Sequence, residues 1–190
     1  NGTTPLIYAV KNDQKAAVEL LIEKKADLNL KEEKGRSALS YAVENGNKDI
    51  ALLLIRNKAN VNNRDNIDGK TPLMLAVSQG NREIAELLID NKADVNAANQ
   101  KEQSYTAILY AVINNHKDII ELLMQKGAKL NVRDGKGFPL ARYTIEHSRP
   151  SILRILLDNG ADVQSRHQNN LTLLMVAAML ERPESLSILL

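Results

Sequence analysis

The chain has 190 residues, with 25 basic and 23 acidic side chains and no cysteine. The near balance of charge excludes the strong basic excess of a nucleic-acid-binding protein, and the lack of cysteine excludes disulfides and cysteine-bound zinc. No window of about 18 consecutive apolar residues predicts a membrane span, and no leader-like segment opens the chain. Aromatic residues make up 3% of the chain, which favours a core of small, closely packed helices.

A nine-residue segment recurs along the chain. Its clear copies are Gly2-Thr3-Thr4-Pro5-Leu6-Ile7-Tyr8-Ala9-Val10 and the stretches that begin at Gly35, Gly69 and Ser104, and weaker copies begin at Gly137 and Asn170. An Ala-Asp-Val-Asn-like segment recurs in the second half of the units. The period of 33 to 35 residues predicts a single array of six units: 2–34, 35–68, 69–103, 104–136, 137–169 and an incomplete 170–190.

Each unit has the signals of two short helices. Thr4 and Thr71 are predicted N-caps, and Pro5 and Pro72 follow at the first helical position. We expect the first helix, of about nine residues, to end where a left-handed backbone is tolerated, at Asp13, Gly46, Gly80, Asn115 and Ser148. The second helix carries an apolar stripe, for which Asn47 and Asn81 are predicted caps in two units. Helices this short persist only when stacked, so the units predict a solenoid.

The stretch Gly69-Lys70-Thr71 resembles the end of a phosphate-binding loop. Such a loop requires a glycine five residues before Gly69, where this chain has Arg64. Pro72 follows Thr71 directly, and other units have Gly35-Arg36-Ser37 and Gly2-Thr3-Thr4 in the same place. We therefore interpret this stretch as the start of a repeat and not as a nucleotide site.

The period near 33 and the Thr-Pro-Leu at the first helix resemble the ankyrin repeat over essentially residues 2–190. The resemblance implies an all-α, ankyrin-type solenoid of helix-turn-helix units joined by β-turn fingers. It also implies that fingers and first helices line a concave surface that binds a protein partner without catalysis. Where the family favours glycine before the Ala-Asp-Val-Asn segment, this chain has Lys25, Lys58 and Lys92, which we expect to be left-handed.

Catalytic and metal-binding motifs are missing from the sequence. The three histidines, His116, His147 and His167, have spacings that match no metal motif. No nucleophile elbow of the Gly-x-Ser-x-Gly type occurs. We therefore predict that this segment is not an enzyme and has no cofactor or metal.

Two sets of aromatic residues recur at fixed positions in the units. Tyr8, Tyr41, Tyr110 and Tyr143 share one position on the first helix, which we interpret as packing between units. The second residue of successive units changes from polar to aromatic, through Arg36, Lys70, Tyr105 and Phe138. Exposed aromatic side chains are favoured interface anchors, so we predict that Tyr105 and Phe138 contact a partner. The alternative is that both side chains pack against adjacent fingers.

The resemblance also implies which other positions line the groove. The partner-facing set then includes the second-position residues above and, in addition, Ile67, Ile113, Asn114, Glu146 and His147. The finger at residues 99–103 carries the two extra residues of the 35-residue unit, and we expect it to reach a partner.

The predicted function is protein–protein interaction by a cytoplasmic monomer, with no nucleic acid or membrane partner. The alternative is the targeting or regulatory arm of a larger enzyme, toxin or bacterial effector delivered into a host cell. The abundance of Lys and Asn is typical of an AT-rich genome, which is compatible with a bacterial source. Leu186, Leu189 and Leu190 have no following unit to cover them, so we expect a longer native protein.

Overall fold

The computed structural model describes residues 2–100, 104–164, 166 and 170–190. Within these ranges lie twelve helices in six successive pairs: α1 Pro5–Lys11, α2 Lys15–Glu23, α3 Ala38–Glu44, α4 Lys48–Arg56, α5 Pro72–Ser78, α6 Arg82–Asp90, α7 Ala107–Asn114, α8 Lys117–Gln125, α9 Leu140–Glu146, α10 Pro150–Asp158, α11 Leu173–Met179 and α12 Pro183–Leu189. In these same ranges there is no helix with the length and hydropathy needed to cross a bilayer. The predicted all-α solenoid is confirmed.

The first helices begin as the Thr-Pro signal predicts. The Thr4 Oγ1 accepts a hydrogen bond from the Ile7 backbone N–H at 3.1 Å, and the Thr71 Oγ1 accepts one from Met74 at 3.3 Å. Pro follows each cap at the start of the helix, where its missing N–H costs nothing. Gly69-Lys70-Thr71 therefore opens a repeat. The first helices have seven or eight residues, against about nine predicted, because their capping residues lie outside the helix.

The first helices end at left-handed residues. Asp13, Gly46, Gly80, Asn115 and Ser148 have φ between 52° and 73°, as predicted, and Glu181 has φ 53° at the same place in the sixth unit. This conformation turns the chain at once into the second helix. There, the side-chain oxygens of Asn47 and Asn81 accept from Ile50 and Ile84 at 3.0 Å, which confirms both predicted caps.

The second helices also end in left-handed residues. Lys25, Lys58 and Lys92 have φ of 60°, 69° and 70°, which confirms the expectation for these lysines. Gly127 and Gly160 have the same conformation in units four and five. Glycine adopts this conformation without the Cβ strain that a lysine carries.

Lys92→Gly is expected to raise the free energy of unfolding by about 1 kcal/mol, because it removes the cost of a left-handed L-residue. The measurement is the midpoint of urea unfolding. Lys92→Ala is the matched control, since it removes the same side chain but keeps the strained Cβ. A midpoint for Lys92→Gly that equals or falls below that of the wild type would contradict this account.

The units are joined by an apolar core and by a row of asparagines. The main core runs through units one to five, and a smaller cluster joins unit five to unit six through α9 and α11. Asn62 links two units, because its side chain accepts from the Asp94 N–H at 2.9 Å and donates to the Lys92 carbonyl at 3.2 Å. Equivalent bonds are made by Asn29, Asn96 and Asn131. The row fixes each unit against the next and so fixes the fingers relative to one another.

Candidate protein-binding surface

A buried acceptor at the base of four fingers shapes the finger backbone. The Asp65 Oδ1 accepts from four backbone N–H groups, those of Ile67, Asp68, Gly69 and Lys70, at 2.8 to 3.4 Å. Glu32, Asn99 and Asp134 occupy the same place, and they accept from the N–H groups of Arg36, Tyr105 and Phe138. The sequence-based prediction missed these acceptors, although their spacing of 33 to 35 residues is visible in the sequence.

The second residue of each of units two to five is therefore held in place by the hydrogen bond from its own backbone N–H to this acceptor. These residues are Arg36, Lys70, Tyr105 and Phe138, all half-buried. Three β-bridges close fingers beside these residues. They join Lys31 with Ser37, Ala98 with Thr106 and Arg133 with Pro139. Following the ankyrin resemblance, we call the surface formed by the fingers and first helices the concave surface, and the surface formed by the second helices the convex surface.

A tyrosine cluster joins units four and five. The Tyr105 ring packs edge-on against Tyr110 and Tyr143, with centroid distances of 5.7 and 6.0 Å. The Tyr143 hydroxyl donates to the Asp134 Oδ2 at 2.6 Å, and the Tyr105 hydroxyl lies 3.2 Å from the Tyr143 hydroxyl. Tyr143 also stacks on His147 at 6.4 Å. Tyr105 is thus fixed by its own unit and by the next one.

Three cations on this surface lie over aromatic rings and also pair with acids. The Arg36 guanidinium lies 5.7 Å from the Tyr41 ring and binds both oxygens of Glu44, at 2.6 and 2.8 Å. The Lys70 Nζ lies 5.3 Å from the Tyr110 ring and 3.1 Å from the Asp68 carboxylate. We call these arrangements ring–cation–acid groups.

The third ring–cation–acid group belongs to unit five. The Arg142 guanidinium lies 3.8 Å from the centre of the Phe138 ring, and its Nε donates to the Glu146 Oε1 at 2.6 Å. Cation–π attraction and the ion pair together hold each cation in one place. The groups therefore present ordered charges along the fingers.

The structure places the predicted site residues as follows. Tyr105 and Phe138 are half-buried and pack on their own chain, while part of each side chain remains accessible. Ile113 is half-buried, Asn114 and His147 are exposed, and Ile67 is 38% exposed. Residues 101–103 of the enlarged finger lie outside the described residues. The role of this set in binding stays a prediction.

The shared tyrosine position behaves as predicted in three of its four units. Tyr41, Tyr110 and Tyr143 are buried, but Tyr8 is 61% exposed, so the prediction was wrong for Tyr8. The physical reason is that the preceding unit helps to cover each buried ring. Lys11 lies 4.5 Å from the Tyr41 ring, for example, whereas no described unit precedes Tyr8.

Burial gives two of these tyrosines a pH-dependent role in stability. Burial raises the pKa of Tyr110 to about 12. The pKa of Tyr143 is raised too, first by burial and then by its hydrogen bond to Asp134. An unfolded tyrosine has a pKa near 10, so above that pH the unfolded chain loses protons that the folded chain keeps.

The free energy of unfolding is therefore expected to fall as the pH rises from about 10 to about 12. The measurement is the urea midpoint across this window, with tyrosinate absorbance followed in parallel. The double variant Tyr110→Phe with Tyr143→Phe should show a flatter dependence on pH than the wild type, whatever its absolute stability. Equal slopes for the two proteins would contradict the assignment.

The histidines do not converge on a metal site in the described part of the chain. No group of three His, Cys, Asp or Glu side chains there is placed to hold a metal ion. His116 lies against Gly80, His147 stacks on Tyr143, and His167 lies outside the described residues.

The model of the family "Ankyrin repeats (3 copies)" matches residues 1–65 and 53–134. The chain therefore belongs to the ankyrin-repeat family. Units five and six lie beyond the matched residues but keep the helix pairs, although Thr172 at the start of α11 is the one N-cap among their four helices whose side chain accepts a hydrogen bond.

Curated relatives match parts of this array. The chain is 41% identical over 75 residues to ankyrin repeat and SOCS box protein 6 of Mus musculus, and 35% identical over 89 residues to B-cell lymphoma 3 protein of Homo sapiens. It is 36% identical over 84 residues to ankyrin repeat and MYND domain-containing protein 1 of Homo sapiens. The matches cover 38%, 45% and 44% of this chain, but 18%, 20% and 9% of the relatives.

Proposed function

We propose that this chain binds a protein partner through its concave surface and finger tips and has no catalytic activity of its own. Ankyrin repeats are generally protein–protein interaction modules, and the family membership supports this class of function. The observation that carries the proposal is the row formed by the second residues of units two to five, Arg36, Lys70, Tyr105 and Phe138. A buried acceptor holds each of them at the same position, so the row is ordered before a partner arrives. Such preorganisation lowers the entropy cost of binding.

Tyr105 and Phe138 are the proposed anchors. The uncharged residues Ile113 and Asn114 end α7, in the same unit as Tyr105, and the ring–cation–acid groups belong to units two, three and five. An apolar, aromatic centre with a charged rim is the usual anatomy of a protein interface. The proposed surface also includes Lys70, Arg36, Ile67, Glu146 and His147.

Replacing both anchors, Tyr105→Ala with Phe138→Ala, is expected to weaken partner binding by about tenfold or more, equivalent to about 1.4 kcal/mol. The partner is first isolated by affinity capture from candidate cell extracts, and binding is then measured by calorimetric titration. Leu20→Ala, at an exposed apolar side chain on the convex surface, is the control.

Because Tyr105 packs on Tyr110 and Tyr143, the fold of the double variant is checked by circular dichroism and thermal unfolding. If the alanine variant unfolds, Tyr105→Phe with Phe138→Leu replaces it. This variant keeps apolar volume at both positions and should lose less affinity than the alanine variant. Unchanged affinity in a folded alanine variant would contradict the choice of anchors.

An alternative proposal is that the array is the targeting or regulatory arm of a larger enzyme, toxin or effector. The observation in its favour is that the relatives are longer than the matched region, and two of them carry a SOCS box or a MYND domain in their names. The binding surface would then select the target of an activity located elsewhere. The full reading frame distinguishes this alternative, and fractionation of source cells tests the proposed cytoplasmic location.

A further inference from the structure

The charged side chains of the concave surface expose acids more than cations. In the three ring–cation–acid groups, Arg36, Lys70 and Arg142 are only 19%, 25% and 18% exposed, while their partners Glu44, Asp68 and Glu146 are 39%, 49% and 29% exposed. In the convex pairs the acids are again the more exposed partners, but the cations are less buried, with Lys15, Lys48 and Lys126 at 51%, 52% and 35%. The rings hold the concave cations inward, so this surface offers carboxylates to a partner.

The uncharged polar side chains between these groups donate their hydrogen bonds to backbone carbonyls of the chain itself. The Ser78 hydroxyl donates to the Leu75 carbonyl, and the Gln79 amide nitrogen donates to the Glu44 carbonyl, both at 2.9 Å. The Asn114 amide nitrogen donates to the Tyr110 carbonyl, also at 2.9 Å. No described residue donates to the side-chain oxygens of these three residues. Within the described part of the chain, these oxygens are therefore acceptors without a donor.

The tyrosine cluster also presents a hydrogen-bond acceptor and not a donor. Tyr143 has a single hydroxyl proton and gives it to the Asp134 carboxylate. In the hydrogen bond between the two tyrosine hydroxyls, at 3.2 Å, Tyr105 must then be the donor. The Tyr105 oxygen keeps only its lone pairs for a partner, so this proposed anchor is an acceptor.

We infer that the concave surface from Glu44 to Glu146 binds a segment of the partner that is rich in donors, namely a stretch of chain containing lysine or arginine. Acidic oxygens at Glu44, Asp68 and Glu146 recognise the cations, and the neutral oxygens between them accept N–H groups of the same segment. Two exposed cations, Lys11 and Lys34, lie at the end of the surface nearest unit one, and a third, Lys136, lies within the stretch, in the finger that leads to unit five. The inference rests on the proposed function and specifies the chemistry of the partner.

The test uses displayed random peptides of about twelve residues, selected on the immobilised chain and then on a variant with Glu44→Gln, Asp68→Asn and Glu146→Gln. Peptides that bind the chain but not the variant are expected to be enriched in lysine and arginine over aspartate and glutamate. Synthetic copies should bind the variant about tenfold more weakly or worse, and their affinity should fall as salt rises.

The matched control is Glu19→Gln with Glu86→Gln and Glu121→Gln, which makes the same charge change on exposed convex positions and should alter affinity by less than about twofold. Circular dichroism checks that both triple variants fold. If the concave triple variant unfolds, the three single variants replace it, and each should weaken binding about two- to threefold.

Two outcomes would overturn the inference in different ways. Peptides that depend on the concave surface but are neutral or acidic would refute a basic partner segment and leave the proposed binding function standing. A set of peptides whose binding is lost equally in the convex triple variant would refute the assigned surface, and with it the proposed function.

Discussion

Leu88→Ala is expected to lower the free energy of unfolding by about 3 kcal/mol, since removing a fully buried leucine typically costs about 2 to 5 kcal/mol. Leu88 lies on α6 in the middle of the array, with no exposed surface. It belongs to a column of leucines at one position of successive second helices, with Leu54, Leu123 and Leu156 buried in the same way. The cavity left by Leu88→Ala would open between units that must stay packed for both halves of the array to persist.

Leu189→Ala is the matched control for this experiment. Leu189 occupies the same position on α12 and is only half-buried, so its loss is expected to cost less than half as much. Urea unfolding followed by circular dichroism measures both, and Leu88→Ala should also broaden the transition as the two halves uncouple. Equal losses for the two variants would show that the middle of the array does not control its stability.

The helices and their ends could be predicted from sequence because their causes are local. A Thr oxygen reaches an N–H three residues away, and a left-handed residue acts on the turn that contains it. The repeat period then extended these local signals into a solenoid. The expectation for Lys92 followed in the same way, by aligning it with Gly127 and Gly160.

The polarity of the candidate surface could not be predicted, because it depends on contacts between units. Lys70 reaches a ring forty residues away, at Tyr110, and the Tyr105 hydroxyl bonds one in the next unit. Whether Gln79 turns its amide nitrogen or its oxygen inward depends on the Glu44 carbonyl of the unit before. The repeat alignment predicted which residues line the candidate surface, but only packing decides which atoms they present.

Gly35→Ala is expected to destabilise the chain by about 2 to 4 kcal/mol, from left-handed strain of about 1 kcal/mol and an overpacking cost of about 1 to 3 kcal/mol. Gly35 has φ 73°, and a Cβ there would lie 2.6 Å from the backbone nitrogen of Asn66 in the next finger. That nitrogen donates to the Lys34 carbonyl at 2.7 Å, so the glycine is where two fingers come close enough to bond.

Gly127→Ala is the control that carries the strain alone. Gly127 follows α8 and has φ 85°, and a Cβ there meets no described atom within 4 Å. It should therefore lose only the strain of about 1 kcal/mol. If urea unfolding gives equal losses for Gly35→Ala and Gly127→Ala, close approach of the fingers contributes nothing to stability. A larger loss for Gly35→Ala would mean that the contact which spaces Arg36 from Lys70 on the candidate surface also stabilises the array.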